Sequence, residues 1–183
     1  MDTEVSVITP SIPGREWVLD RNKSTVKYQT YKNVTHLYDV DVDRRGPAWM
    51  RNRLVERSDT EWISFLDDDD TMHINHLELH MPFTEEYDVI FSWGQIVHKG
   101  GGAAVFDSSY NPHKILRGHN TIPVTATVNR SFFDRVGGFS ETERFEDWFL
   151  WKSLILKGAR FKCIEQVTWD YNMGLPDQRN SKE

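Results

Sequence analysis

Trp62-Ile63-Ser64-Phe65-Leu66-Asp67-Asp68-Asp69-Asp70 decides the fold. A short apolar run, rich in aromatic and branched residues, ends abruptly in four aspartates. Such a run reads as a buried strand closed by a polar turn. Similar units flank it. Upstream, a strand is expected over 5–9, ended by Pro10-Ser11-Ile12-Pro13-Gly14, with a helix from about Arg15 towards Val26. A second strand is expected over 35–42. Gly46-Pro47 then punctuates the chain, and Pro47 suits the first turn of a helix over 48–57. Downstream, the pattern predicts a helix over 72–81, a strand over 88–97 and a turn at Gly100-Gly101-Gly102. Strands alternating with helices imply a largely parallel α/β sheet.

The second half reads differently. A strand is expected over 125–129, a short helix over 131–136 broken by Gly137-Gly138, and a longer helix over 145–157 stopped by Gly158. Short strands are expected over 161–164 and 167–171, and the last dozen residues read as a loop or tail.

In parallel α/β sheets, ligands bind at the carboxyl ends of the strands. Three polar clusters fall there: Pro10 to Arg15, Asp41 with Asp43, and Asp67 to Asp70. Four adjacent carboxylates repel one another, and a divalent cation removes that cost. Mg²⁺ and Mn²⁺ prefer carboxylate and water oxygens, and a metal held by few protein groups keeps positions open for a diphosphate. The competing reading is that Asp70 or Thr71 caps the next helix and the rest form a solvated turn.

Composition narrows the classes. The chain has 183 residues, 38% hydrophobic, 27% charged and 13% aromatic, with a formal charge of -6. That length suits one domain. The aromatic share argues against disorder, and the acidic balance disfavours nucleic acid as a partner. A single cysteine, Cys163, excludes an internal disulfide framework. The opening stretch carries too short an apolar run for a signal peptide, and no segment is long and apolar enough to span a bilayer. A cytoplasmic protein is the expectation. The oligomeric state is not legible.

Taken together, Val5 to Ser11, Arg51-Asn52, Phe65 to Asp70, Val136-Gly137-Gly138-Phe139-Ser140-Glu141 and Glu146-Asp147-Trp148 resemble a family 2-type glycosyltransferase of the GT-A fold. The motifs follow the family's order over about residues 4–157. The resemblance implies a Rossmann-like α/β/α sandwich with a mostly parallel central sheet. It divides the domain, 1–183, into a nucleotide-sugar and metal half over about 1–97, an acceptor half over about 98–172, and a mobile tail over 173–183. It implies a metal-dependent transfer from a nucleotide-diphosphate sugar, UDP-sugar favoured, to an acceptor hydroxyl, with inversion at the anomeric centre.

By that resemblance Thr9, Pro10, Ser11 and Arg15 hold the donor nucleotide. Asp41 contacts the base, with Asp39 and Asp43 as rivals. The chain lacks the family's longer Asp-Asp-Gly-Ser motif at this point. Arg51 matches a donor-pocket arginine. Asp67-Asp68-Asp69 matches the DXD motif, so Asp69 is the expected ligand to Mn²⁺ or Mg²⁺, shared with Asp67, while Asp67 or Asp68 faces the ribose or donor sugar. Asp147 is the expected catalytic base and Glu146 its support. The competing reading of that pair is that both complement a helix dipole. Arg179, with Lys182 behind it, is the candidate to assist the leaving group.

His119, Thr125 and Trp148 are candidates to touch the acceptor or sugar. Trp93, Trp151 and Trp169 are weaker ones, since most tryptophans are at least partly buried. His73, His76 and His80 share one helical face by spacing, but the apolar stripe of Ile74, Leu77 and Met81 beside them points to core flanks rather than a metal site. Two other functions fit less well. A sugar-nucleotide pyrophosphorylase wants a glycine-rich basic loop after the first strand, which Ser11 to Arg15 lacks. A non-catalytic nucleotide-sugar-binding module would keep the aspartates for binding alone.

Overall fold

The computed structural model describes residues 3–174. The chain runs β1 (Val5–Ser11), α1 (Glu16–Lys27), β2 (Val34–Val40), α2 (Pro47–Glu56) and β3 (Trp62–Phe65), then β4 (Thr71–Met72) and α3 (His76–His80). It continues through β5 (Val89–His98), β6 (Ala103–Phe106), α4 (Pro112–Leu116), β7 (Ala126–Asn129), α5 (Arg130–Arg135), α6 (Glu146–Leu156) and β8 (Phe161–Met173). One sheet has the order β2-β1-β3-β7-β5-β8-β4, with β6 paired to β5.

The sheet is mixed. β1 pairs parallel with β2 and β3, and β5 pairs parallel with β8. β7 lies between these groups and runs antiparallel to both β3 and β5. Successive side chains on a strand face opposite ways, and the core divides accordingly. Ile8 and Phe65 face one cluster, with Leu54 of α2, Ile115 of α4, Phe133 of α5 and Leu150 and Leu154 of α6. Val5, Val7 and Trp62 face the other, with Val26 of α1 and Leu77 of α3. Helices thus cover both faces, as in the expected sandwich.

Pro10 sits inside β1 without breaking a ladder. Ile8 O accepts from Leu66 N, so residues 8 and 10 turn their backbone groups towards β3. The pairing with β3 ends at Phe65, and the N–H that proline lacks has no partner to lose.

Several local expectations are corrected. The helix expected over 72–81 is only His76–His80, followed by a 3-10 turn at Met81–Phe83 around Pro82. Thr71 and Met72 are drawn into the sheet by Asp170 and Trp169 of β8. Asp70 therefore caps no helix. The strands expected at 161–164 and 167–171 are one strand, with a register irregularity opposite Ser92, Trp93 and Gly94. Gly94 is required there, because a Cβ would lie 2.5 Å from the Trp169 ring.

The histidines separate. His73 precedes α3 and bonds Asp170 at 2.9 Å. His76 and His80 lie in the core rather than at its flank, with ring centroids 4.0 Å apart. Their Nδ1 atoms bond Thr168 and Thr127. Burial keeps both rings neutral, pulling His76 down to about 3 and His80 well below the ordinary histidine range. The tail, with Arg179 and Lys182, lies outside the described residues; Met173 ends β8.

Candidate functional site

The site is built on the turn that closes β3. Asp70 N donates to Asp67 O at 3.0 Å. Asn22 of α1 donates its amide to Asp67 O and Asp70 O, at 2.9 and 3.2 Å. Arg21 Nη2 and Asn172 Nδ2 donate to Asp69 O, at 2.7 and 2.9 Å. Donors from α1 and β8 thus hold the turn's carbonyls and fix its backbone, which leaves the carboxylates for other work.

Each carboxylate meets a different environment. Asp67 accepts from Arg51 Nη2 at 2.5 Å. Asp68 accepts from Ser11 Oγ at 2.5 Å and pairs with Arg15 at 3.1 Å. The same Arg15 atom lies 2.8 Å from Asp69 Oδ2. Burial opposes the charge on Arg15, but Asp68 and Asp69 outweigh it and hold the guanidinium above its ordinary value. Burial pushes the Asp68 carboxyl up to about 6; Ser11 and Arg15 pull against this, while Asp69 and Asp67 add to it. Asp70 is buried and held well above the ordinary 3.8, first by burial and then by the charges of Asp69 and Asp67; the Asn172 N–H offsets part of this.

The residues fit a hard divalent cation. Asp67, Asp69 and Asp70 each offer a carboxylate oxygen, and these atoms lie within 4.8 Å of one another. All are the hard oxygen donors such ions select. Beyond the expected Asp69 and Asp67, Asp70 belongs to this group. A cation there would offset the part of its rise that comes from Asp69 and Asp67.

Arg51 joins the turn to the second half of the chain. It is buried on α2, only 3% exposed, and its two terminal nitrogens divide between Asp67 and Glu146 Oε1, the latter at 3.0 Å. Burial works against its charge, but Asp67 and Glu146 more than offset that and raise its pKa. The neighbouring Asn52 makes a reciprocal pair with Phe139, donating to its carbonyl and accepting from its N–H, both at 2.9 Å. Gly138 makes room for this. Its φ is +73°, and a Cβ would lie 2.7 Å from Asn52 Oδ1. The Arg-Asn, Gly-Gly-Phe and Glu-Asp motifs are therefore one packed unit that seats the start of α6 against the acidic turn.

Asp147 is half-buried at that start, and its Oδ2 accepts from Asn120 Nδ2 at 3.0 Å. Burial raises its pKa; Trp148 N–H and Arg51 pull it back, and Glu146 and Asp67 add to the rise. The Trp148 indole donates to Ile115 O and that of Trp151 to Ile122 O. Trp93 and Trp169 donate to Ser108 O and Ser92 O. All four indole N–H groups are thus committed to backbone carbonyls, and Trp148 remains partly exposed beside Asp147.

The other expected site residues lie as follows. Ser11 and Arg15 face the acidic turn. Thr9 is fully buried, its hydroxyl between Asn22 and His36 Nε2. Pro10 is buried at the end of β1. Both oxygens of Asp41 accept backbone N–H groups, from Arg45 and Gly46, so it holds the loop that enters α2. Asp39 pairs with Arg57 at the surface. His119 is exposed, whereas Thr125 is buried with its hydroxyl unpartnered. Asn52 belongs to the Arg51-Asn52 motif, whereas three other asparagines escape a reading by motif: Asn22, Asn120 and Asn172. Asn22 alone carries a local signal, a polar residue on the buried stripe of Val18, Leu19 and Val26 in α1.

An α/β sandwich with an acidic turn at a strand end, tied through a buried arginine to a Glu-Asp pair, has the architecture of GT-A glycosyltransferases. The sequence profile of glycosyl transferase family 2 matches residues 22–145, and the chain belongs to that family. An uncharacterized glycosyltransferase of Rickettsia conorii is 32% identical over 86% of this chain, and one of Rickettsia felis is 32% identical over 50%. These alignments cover 31% and 19% of the relatives, so the chain spans less than a third of the length of either. Among solved structures, S. aureus TarS 1-349 in complex with UDP-GlcNAc superposes with a TM-score of 0.80 at 16% identity, covering 99% of this chain and 62% of that one. The mannosyltransferase PcManGT from Pyrobaculum calidifontis, in complex with GDP-Man and Mn²⁺, gives 0.67 at 13%, covering 97% and 59%. No helix among the described residues is long and apolar enough to cross a membrane.

Proposed function

We propose that this chain is a metal-dependent glycosyltransferase that moves a sugar from a nucleoside-diphosphate sugar, UDP-sugar favoured, to an acceptor hydroxyl with inversion. One observation carries the reading: the buried Arg51 joins Asp67 of the acidic turn to Glu146, the neighbour of Asp147. A donor-binding turn and a candidate base are thereby set in fixed relation. The donor complexes of TarS and PcManGT support a nucleotide-sugar donor.

In this reading Ser11, Arg15 and Asp68 shape the donor side, with Thr9, Pro10 and Asp41 behind them. Asp67, Asp69 and Asp70 hold the cation. When bound, Mn²⁺ or Mg²⁺ supplies Lewis-acid stabilisation of charge on the departing diphosphate. Asp147 takes the proton of the acceptor hydroxyl as its oxygen bonds to the anomeric carbon. The bond from that carbon to the diphosphate oxygen breaks, and its electron pair leaves with the nucleoside diphosphate. Glu146 holds Arg51 and thereby the start of α6. His119 and the partly exposed Trp148 border the acceptor side, whereas the fully buried Thr125 is closed to it.

Incubating the protein with a panel of UDP-, GDP- and ADP-sugars and Mn²⁺ tests this, with free nucleoside diphosphate as the readout. Slow release is expected with UDP-sugars, and chelation with EDTA is expected to abolish it. Release that is indifferent to EDTA would contradict the reading. Metal-dependent binding without any turnover would favour a binding module instead.

A further inference from the structure

We propose that Asn120 is a positioning residue for the transfer reaction: its side-chain amide holds the Asp147 carboxylate in the orientation in which it receives the acceptor's proton. The inference rests on the reading of Asp147 as the base. Its physical ground is a clamp between the first turns of α6 and the segment 115–122. Three consecutive contacts make the clamp: Trp148 Nε1 to Ile115 O at 2.8 Å, Asn120 Nδ2 to Asp147 Oδ2 at 3.0 Å, and Trp151 Nε1 to Ile122 O at 3.1 Å. The segment is pinned further by Thr121 Oγ1 to Ser109 O at 2.6 Å and His119 N to Lys114 O at 3.0 Å.

The amide's direction is set as well. Asn120 Oδ1 accepts from Ile122 N at 3.1 Å, so the NH₂ end must be the one turned to Asp147. Asn120 is exposed, but an amide whose oxygen is held by Ile122 N–H is an ordered donor rather than a freely rotating one. An N–H donor favours the ionised carboxylate and restrains its rotation without adding charge. The charged groups that bear on Asp147 come from three elements: Arg51 of α2 favours its ionisation, and its neighbour Glu146 on α6 and Asp67 of the turn oppose it. A carboxylate has about four lone-pair positions. Asn120 and the Trp148 N–H take two, and the others remain for the acceptor hydroxyl.

The test is a carbon-13 NMR titration of the aspartate carboxyls in the metal-free chain. The Asp147 signal is assigned by its loss in Asp147→Asn. Asn120→Ala is expected to raise the Asp147 midpoint by about one pH unit, the effect of losing one hydrogen bond to a charged group. Asn120→Asp, which sets a second carboxylate beside the first, is expected to raise it further. In UDP-GlcNAc hydrolysis with Mn²⁺, Asn120→Ala should shift the acid limb of kcat by the same amount and leave KM for the donor within about twofold. A merely structural loop residue would move neither midpoint nor limb. An unmoved Asp147 midpoint in both variants overturns the proposal, whether or not turnover is seen. Turnover retained by Asp147→Asn instead overturns the reading of the base, and the clamp then has no reaction to serve.

Discussion

Arg51→Ala should cost about 3–5 kcal/mol of stability, the range for removing one partner of a buried ion pair. Arg51 pairs with both Asp67 and Glu146, and both bonds end on a nearly inaccessible side chain. Truncation would take this cation away from the buried Glu146 and bring back repulsion within the acidic turn. For a chain of this length about 2–4 °C accompanies each kcal/mol, so a melting temperature lower by about 6–20 °C is expected. Arg51→Lys keeps the charge, but one ammonium cannot present the planar fork that reaches two carboxylates, and an intermediate loss is expected. Thermal and urea unfolding measure both. A melting temperature within about 2 °C of the unaltered protein for Arg51→Ala would mean that the bridge does not hold the two halves of the site together.

Asp147→Asn should lower transfer by about 10²–10⁴-fold, the usual range for a general base. The fold should survive, because the asparagine carbonyl can still accept from Asn120. Nucleoside diphosphate release at saturating donor measures the effect, and activity within about threefold of the unaltered protein would remove Asp147 from the base's role. The pH profile adds a second readout. A base works only when deprotonated, and burial raises the Asp147 pKa above the ordinary 3.8. The rate should therefore fall on acidification at a higher pH than an ordinary aspartate would give, and Asp147→Asn should abolish that limb.

Stability carries the opposite sign at the turn. Asp68, at about 6, and Asp70, also raised, keep their protons in the folded state at pH values where the unfolded chain has already lost them. For Asp68 this window runs from about 3.8 to about 6. Ionisation across it withdraws stability as pH rises. A bound cation would offset that loss.

The sequence carries much of this architecture because its signals are local. Val5 to Ser11, Trp62 to Phe65 and Val89 to His98 are short apolar runs closed by polar turns, and each is a strand. Pro47 and Gly158 punctuate helices where their backbone chemistry dictates. The acidic turn is visible because four adjacent carboxylates need a reason. What escapes a sequence reading is long-range. Thr71 and Met72 look like the start of a helix, yet Trp169 and Asp170 pull them into the sheet from nearly a hundred residues away. β7 gives no sign that it runs antiparallel between β3 and β5.

The same holds for the supports of the site. Asn52 meets Phe139 across 87 residues, Asn172 meets Asp69 across 103 and Asn120 meets Asp147 across 27. An isolated asparagine carries no periodicity that would single it out. The family motifs mark Arg51 and Glu146, but only the fold shows that they touch. Asp41 illustrates the reverse case: its position after β2 draws attention, and its two oxygens are found holding the next loop.

The central claim is that the acidic turn holds a cation to which a nucleoside diphosphate binds. Calorimetric titration of UDP into the protein, with Mn²⁺ and then with EDTA, tests it most directly when repeated on Asp69→Asn, which keeps the side chain's shape and removes its charge. The account predicts UDP binding that requires Mn²⁺ and weakens by at least about tenfold in the variant, roughly 1.4 kcal/mol or more. Equal UDP affinity in the two proteins, or binding unaffected by removal of the metal, would contradict it.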